Sequence, residues 1–366
     1  MKKILIVMGT RPEVIKQAMV AKALAQLPDD FDVKILLTGQ HIELAESMLP
    51  IFDINPAYRL EIMQPNQTLS DITKALLDKI EGVLASEKPD LVIVQGDTTT
   101  SFVSALAAFY QQIAVAHVEA GVRTNDKKYP FPEELNRRLI SELADIHYAP
   151  TTMAADALVR ENISKETVIT TGNTVIDALN FVMDQTGFQN TTSTNGRRQI
   201  LVTMHRRENF GEPMNNVCDA IDEILKKYPD VEVLFPVHPN PQVRELIHGR
   251  WANADRITLA EPLDYVDFIQ AMASCYFIMS DSGGIQEEAP SLNKPVLVLR
   301  AETERMEGVT AGVTALVGTE TKTVFAAADR LLNDEGFYAA MAEKPNPYGD
   351  GKASSRITDH LKTYHF

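Results

Sequence analysis

Short apolar runs alternate with stretches of helical spacing along nearly the whole chain, and this alternation limits the possible folds more than any other feature. Apolar runs that recur between amphipathic helices are the pattern of parallel α/β architecture, in which each strand is covered on both faces. In the first half the runs are Ile4–Met8, Val33–Thr38, Leu91–Gln95, Ala114–Val118, Ile146–Ala149 and Val168–Thr170. In the second half they are Ile200–Thr203, Val231–Pro236, Ile257–Leu259, Tyr276–Met279, Pro295–Leu299 and Thr314–Val317. Each half opens with a strand followed by a polar turn that carries cations. The pattern predicts two doubly wound, Rossmann-like α/β domains facing a cleft, over residues 1–172 and 173–353. The seam lies between Gly172 and Gly196, where QNTTSTNGRR is polar and turn-rich and Thr174–Asp184 has helical spacing. Ser354–Phe366 is expected as a last helix that crosses back to the first domain.

The chain has 366 residues, which allows two domains with full cores. A formal net charge of −15 argues against nucleic acid as a partner, since such binding needs a basic face. No run is long enough to span a membrane. The opening MKKILIVMGT starts like an export signal, but Arg11, Pro12 and Glu13 cut its apolar run short, so a first strand and a cytoplasmic protein are expected. Two cysteines, Cys218 and Cys275, form no CxxC pair and predict neither a disulfide framework nor a thiolate metal site.

The informative residues stand where strands end. After the first strand comes GTRPEVIK, in which Thr10, Pro12 and Glu13 suit a capped helix start, with Ile15, Met19, Ala23 and Leu27 as its packed face. Capping leaves Arg11 over, a cation at a strand's C-terminal end, where ligands bind in open α/β sheets. Lys16 follows one turn later. Asp97 in QGDTTTS reads either as an N-cap or as a functional acid. Glu119 in HVEAGVRT sits at the mouth of the next strand, and FPEELNRR puts Glu133 and Glu134 at a helix start. Three acids, Asp97, Glu119 and Glu133, gathered at adjacent strand ends would exceed what caps require. They would suit proton abstraction.

The second half opens with TMHRRENF, where His205 follows a strand and Arg206 and Arg207 come next, a turn suited to phosphate or simply a surface turn paired with Glu208. His238 lies in VHPNP. The run CYFIMSDSGGIQEEAP then gives a strand, a tight turn and a helix start, with Ser282, Gly283, Gly284 and Glu288. Glycines let a backbone approach a diphosphate, N–H groups at a helix start favour one, and a carboxylate one turn on could take a ribose diol. The same residues also describe an ordinary strand–helix connection. GxGxxG, GxxxxGKS, HExxH and GxSxG are absent from the sequence, and nothing in it requires a metal or an organic cofactor.

Taken together, GTRPE-x-IK, GDTTT, HVEAG-x-RT, PEE-x-NRR, TGNTVIDAL, HRREN, VHPNP, SDSGGIQEEAPSL-x-KPVLV and ER-x-E-x-V-x-AG resemble the non-hydrolysing UDP-N-acetylglucosamine 2-epimerases of bacteria. The resemblance runs from Gly9 to about Gly318. It implies the GT-B-like two-domain fold and reversible conversion of UDP-N-acetylglucosamine to UDP-N-acetylmannosamine, by loss and re-addition of UDP through a glycal. It implies that Asp97, Glu119 and Glu133 are the catalytic acids and that His205 lies near the diphosphate. Arg11, Ser282, Gly283 and Gly284 would hold the phosphates, Glu288 the ribose and Phe268 the uracil, while Lys16 and Arg305 make further substrate contacts. Gln40, Arg206 and His238 match a second, activating UDP-sugar site. A homodimer serving cell-surface polysaccharide synthesis is the family expectation.

The chain departs from the family pattern in places. Met204 stands where a glycine is common, and its bulk is expected to shift the turn. Leu263 stands where some members have glutamine. Glu43 and Asn66 replace residues of the activating site, and a carboxylate is unfavourable beside a diphosphate. The rival activities are a 2-epimerase of a diacetamido uronic acid UDP-sugar, a hydrolysing epimerase, a GT-B glycosyltransferase and a non-catalytic UDP-sugar sensor.

Overall fold

The computed structural model describes residues 1–40, 42–64, 66–191 and 196–365. Residues 192–195 of the expected seam and Phe366 of the expected last helix lie outside the described residues. The chain divides into two compact units, Met1–Asn180 with Tyr348–Phe366, and Phe181–Pro347. Among the described residues, no helix is long and apolar enough to cross a membrane.

The first unit holds β1 (Lys2–Met8), β2 (Phe31–Leu37), β3 (Tyr58–Arg59), β4 (Leu91–Gln95), β5 (Ala114–Val118), β6 (Ile146–Ala149) and β7 (Val168–Thr170). They form one sheet in the order β3-β2-β1-β4-β5-β6-β7, and the pairs are parallel. The second unit holds β8 (Arg198–Thr203), β9 (Val231–Pro236), β10 (Ile257–Ala260), β11 (Phe277–Ser280), β12 (Val296–Val298) and β13 (Thr314–Leu316), in the order β10-β9-β8-β11-β12-β13. Both sheets are doubly wound, as the alternation predicts. Their order reverses between β1 and β4 and between β8 and β11. Outside the strand ends at such a reversal lies the crevice where open α/β sheets bind ligands.

The strands are apolar on both faces because helices cover both. Ile4 to Met8 are all buried, as are Leu91 to Val94. One core gathers Leu5, Val7, Val92 and Val94 with Leu76, Ile80 and Val103 from the flanking helices. The other gathers Ile200, Val202, Val233 and Phe235 with Val217, Ile221, Ile224 and Leu331. Met204 puts its side chain into this second core rather than into the turn. Cys218 and Cys275 are buried thiols, and burial pushes both up to about 12.

Several expectations need correction. β3 has two residues and no apolar run, so no period announces it. On the helix Arg11–Ala25 the buried stripe runs through Val14, Ala18, Ala21 and Leu24; Met19, Ala23 and Leu27 are only partly covered. The divisions fall at 180/181 and 347/348, rather than at 172/173 and 353/354. Local bonds explain the shift. The helix Thr174–Thr186 starts in the first unit, where the Asp177 carboxylate caps the last helix by accepting from Ser354 N at 2.7 Å and Ala353 N at 3.2 Å. Asn173 N donates to Tyr348 O at 2.7 Å, so the returning chain joins the first unit before that helix begins. The last helix, Ala353–Thr363, is tied to β1 and β6: Lys2 Nζ donates to Leu361 O at 2.7 Å, and the Tyr148 hydroxyl meets His360 Nδ1 at 3.0 Å.

Candidate active site

In the first unit, the turns after β1 and β4 meet over one buried carboxylate. Glu13 Oε2 accepts from Gly9 N (3.0 Å), Thr10 N (2.7 Å) and Thr10 Oγ1 (2.8 Å), while Oε1 accepts from Thr98 Oγ1 (2.7 Å) and Ser101 Oγ (2.8 Å). Burial pushes this carboxyl above its ordinary range, and the donors only partly offset it. The expected capping box of Thr10 and Glu13 therefore exists, and it also fastens the β4 turn. Arg11, next to it, is half-buried and has no hydrogen-bond or ion partner among the described residues.

Asp97 is not the helix cap. Thr98 fills that position, accepting from Ser101 N at 3.0 Å. This leaves the Asp97 carboxylate to pair with Arg137 Nη2 at 2.6 Å, while Asn136 Nδ2 holds its carbonyl at 2.9 Å. Below the turn, His117 Nε2 bonds to Gly96 O at 2.7 Å. Burial pushes this imidazole down to about 3, and a carbonyl only accepts, so His117 is a neutral Nε2–H donor that supports the turn.

Glu119, beyond β5, has a left-handed backbone with φ of 66°. For a residue with a β-carbon this costs about 1–3 kcal/mol and is a feature of functional sites. Its Oε2 receives Lys16 Nζ at 2.5 Å and Gln95 Nε2 at 2.8 Å. Glu133 opens the helix Glu133–Leu143, half-buried, with no hydrogen-bond or ion partner among the described residues. Its neighbour Glu134 serves the loop instead. Burial would raise Glu134, but bonds from Thr124 N, Arg137 and Asn125 N hold it below the usual range. The unit thus joins Asp97 to Arg137 and Glu119 to Lys16 at neighbouring strand ends. Gln40, by contrast, is taken up by Thr100, accepting from its Oγ1 at 2.8 Å.

In the second unit the turns after β8 and β11 meet over Asp281, whose side chain is fully buried. It accepts from His205 N (3.0 Å), Arg206 N (2.9 Å), Asn209 Nδ2 (3.0 Å) and His205 Nδ1 (2.8 Å). Burial alone would raise Asp281, but the His205 bond and charge and the two backbone N–H groups hold it below its ordinary value. The His238 ring lies 5.8 Å from that of His205. Burial, then the neighbouring His205, pushes His238 below the usual imidazole value, with Asp281 partly opposing. The HRREN turn is therefore not a surface turn paired within itself, because Glu208 lies toward Arg300 at 3.7 Å.

Ser282 stands at the N-cap position of the helix Gly283–Glu288, with no cap bond from its side chain. Neither glycine has a positive φ. A β-carbon on Gly283 would meet nothing nearer than Glu304 Oε1 at 3.5 Å, and one on Gly284 nothing nearer than Glu288 Oε2 at 3.8 Å. Backbone conformation and protein packing thus give no reason for the Gly-Gly pair. Arg305 donates to Glu287 at 2.8 Å and lies 3.2 Å from Glu304, and the latter's carboxyl, which burial would raise, is held at about 2 by Arg305 and Arg300. Glu288 Oε1 accepts from the Tyr265 hydroxyl at 3.0 Å, and Phe268 lies half-buried on the same helix, Tyr265–Ser274.

The pattern of candidate residues did not reveal Glu13, Gln95, Asn136, Arg137, Tyr265 or Asp281 as supports. Arg137 and Asp281 lie inside strings that stand out in the sequence, but their partners are distant in the chain, so spacing carried no signal of the pairing.

Comparison with known proteins places these features in a family. A family model described as UDP-N-acetylglucosamine 2-epimerase matches residues 22–362. The UDP-N-acetylglucosamine 2-epimerase of Bacillus subtilis is 47% identical, covering 98% of this chain and 94% of the relative. That of Salmonella typhimurium is 46% identical, covering 99% of each. Among solved structures, the UDP-GlcNAc 2-epimerase of Neisseria meningitidis bound to UDP-GlcNAc matches with a TM-score of 0.90 and 44% identity, over 98% of this chain and 99% of that one. S. aureus MnaA, solved with UDP, matches with a TM-score of 0.89 and 47% identity, over 99% of this chain and 96% of that one.

Proposed function

The chain belongs to the UDP-N-acetylglucosamine 2-epimerase family, and from that premise we propose that it interconverts UDP-N-acetylglucosamine and UDP-N-acetylmannosamine by inverting carbon 2 of the sugar. One carboxylate removes the carbon 2 proton. The C1–O bond breaks with its electron pair going to UDP, and the C–H electrons form the C1=C2 bond of a glycal. Return of a proton to the opposite face and re-addition of UDP complete the inversion. UDP must stay bound until it adds back, so holding it is part of the catalysis.

The observation that carries this proposal is the paired acids of the first unit. Asp97 is held by Arg137, and Glu119, on a strained backbone, by Lys16 and Gln95. A protein that only bound a nucleotide sugar would gain nothing from such acids. With them we assign Glu133 to the acid–base set and His205 to the departing diphosphate. Arg11, Ser282, Gly283, Gly284 and Arg305 are assigned to phosphate and sugar contacts, Glu288 to the ribose and Phe268 to the uracil. The Gly-Gly pair supports the diphosphate assignment, since neither φ nor packing calls for glycine there. Gln40, Arg206 and His238 are carried as an activating site. A homodimer, a cytoplasmic location and supply of a surface polysaccharide belong to the same proposal, and light scattering tests the dimer.

The deciding experiment is incubation with UDP-N-acetylglucosamine in deuterated water, followed by NMR. Deuterium at carbon 2 and an equilibrium with UDP-N-acetylmannosamine are expected. Release of free N-acetylmannosamine would identify a hydrolysing enzyme. Absence of exchange would overturn the proposed activity.

A further inference from the structure

Asp281 does more than anchor a turn. Its bonds from the backbone N–H groups of His205 and Arg206 and from the Asn209 side-chain amide suffice to fix the HRREN turn against β11. The fourth bond, from His205 Nδ1 at 2.8 Å, fastens no further backbone and fixes only the ring. The ring is 39% exposed while Asp281 is wholly buried, so one edge of the imidazole faces a carboxylate and the rest faces outward. A carboxylate only accepts, so the nitrogen facing it carries hydrogen. That leaves Nε2 as the ring's outward working atom. Asp281 also directly precedes Ser282, Gly283 and Gly284, so the residue that sets the ring belongs to the turn assigned to the diphosphate.

We propose that Asp281 is the positioning residue of His205, locking the imidazole in its Nδ1–H form so that Nε2 serves the departing diphosphate. This rests on the assignment of the diphosphate to the Ser282–Gly284 turn. As the C1–O bond breaks, negative charge grows on the diphosphate, and a ring that gains a proton at Nε2 can donate to it. The buried Asp281 charge stabilises the resulting imidazolium, as the aspartate of a hydrolase triad does. The His238 ring lies 5.8 Å from this ring and the Arg206 cation is its chain neighbour, both unfavourable to added positive charge, while Glu304, 3.8 Å from Arg206, tempers the latter. Asp281 is thus the nearest group that favours the charged ring.

The test has two parts. Nitrogen-15 spectra of the histidine-labelled full-length protein, with His205 assigned by its loss in His205→Asn, report the tautomer without any change at Asp281. A protonated Nδ1 and a bare Nε2 in the neutral ring are expected; the opposite tautomer would overturn the proposal. Turnover of UDP-N-acetylglucosamine by Asp281→Asn should then show kcat lower by roughly 100-fold, with KM moved less than about fivefold. In a His205→Asn background the same change should cost less than about threefold, because Asp281 acts through the ring. An equal loss in both backgrounds, or a loss confined to KM, would mean that Asp281 only fastens the turn. A wild type with the expected tautomer but no turnover would overturn the proposed activity and leave the dyad intact.

Discussion

The two sheets solve one problem in opposite electrostatic ways. Each reverses its strand order once, and at each reversal one buried carboxylate fastens the two turns that flank the crevice: Glu13 between the turns after β1 and β4, Asp281 between those after β8 and β11. The two are buried to a similar degree, yet burial wins at Glu13 and raises its carboxyl, whereas donors win at Asp281 and lower it. The difference lies in the donors. Glu13 is served by hydroxyls and backbone N–H groups, none of which changes charge. Asp281 is served by an imidazole as well, so its charge is coupled to a ring that can take a proton. The first fastening is electrically quiet and leaves Lys16, Asp97 and Glu119 to their own partners. The second is itself part of the working set.

The largest effect should come from breaking the first region's chemistry while leaving the second region's hold intact. Asp97→Asn and Glu119→Gln should each lower kcat by roughly 10²–10⁴-fold, the usual worth of an acid or base in the transition state. UDP affinity, measured by calorimetry, should stay within about threefold, because the residues assigned to the nucleotide, Arg11 apart, lie in the other unit. If either variant loses UDP binding instead, the division of labour between the two regions is wrong. If both keep near-normal turnover, the acids are not the catalysts.

Much of this division was legible in the chain. Parallel strands buried on both faces write themselves as apolar runs, so β4, β5, β6, β7 and β9 match the predicted limits. The two-residue β3 could not be read, because an edge strand that short has no period. Arg11, Asp97, Glu119, His205 and the Gly-Gly turn were visible because each is a polar residue where a strand stops. Their supports were not. Arg137 meets Asp97 from 40 residues away and Asp281 meets His205 from 76, and nothing local marks such a pairing. By spacing Glu13 is an ordinary capping-box residue, and in the structure it fills that role. Only the fold brings Thr98 and Ser101 to its other oxygen and makes it a hub.

That hub supplies the next test. Glu13→Gln puts an amide where five donors converge, and its N–H groups are matched only if the Thr98 and Ser101 hydroxyls turn from donating to accepting. A loss of about 1–3 kcal/mol in urea unfolding is expected, the cost of a buried polar group left unmatched. The pH dependence has a definite sign. With the folded carboxyl raised, the native state holds more protons than the unfolded chain between the model value of 4.5 and the raised folded value. Stability contributed by Glu13 is therefore present below that window and falls as pH rises through it. The gap between wild type and Glu13→Gln should be widest at the acid side and narrow toward neutrality. Asp281 runs the other way: its contribution holds above the model value of 3.8 and is lost as pH falls through the lowered folded value. A gap that widens toward neutral pH would show that Glu13 is stabilised as an anion and would erase the contrast between the two carboxylates.

The smallest expected effect on stability separates a glycine needed by the protein from one left for a ligand. At Gly9 a β-carbon would collide with the hydroxyls of Thr100 and Thr38, so Gly9→Ala should destabilise by about 1–3 kcal/mol, the range for overpacking. At Gly283 a β-carbon meets only ordinary contacts beyond 3.4 Å, and the backbone is one that alanine adopts freely. Gly283→Ala should therefore leave stability unchanged or raise it by about 0.4–1 kcal/mol through the unfolded chain. UDP affinity should nonetheless fall about tenfold, which corresponds to 1.4 kcal/mol for a methyl group placed where the diphosphate approaches the backbone. Unfolding midpoints and calorimetric titration with UDP read the two quantities independently. A stable Gly283→Ala protein that binds UDP as well as wild type would move the diphosphate away from this turn. A destabilised one would return Gly283 to the same packing role as Gly9, and the Gly-Gly pair would no longer argue for a ligand.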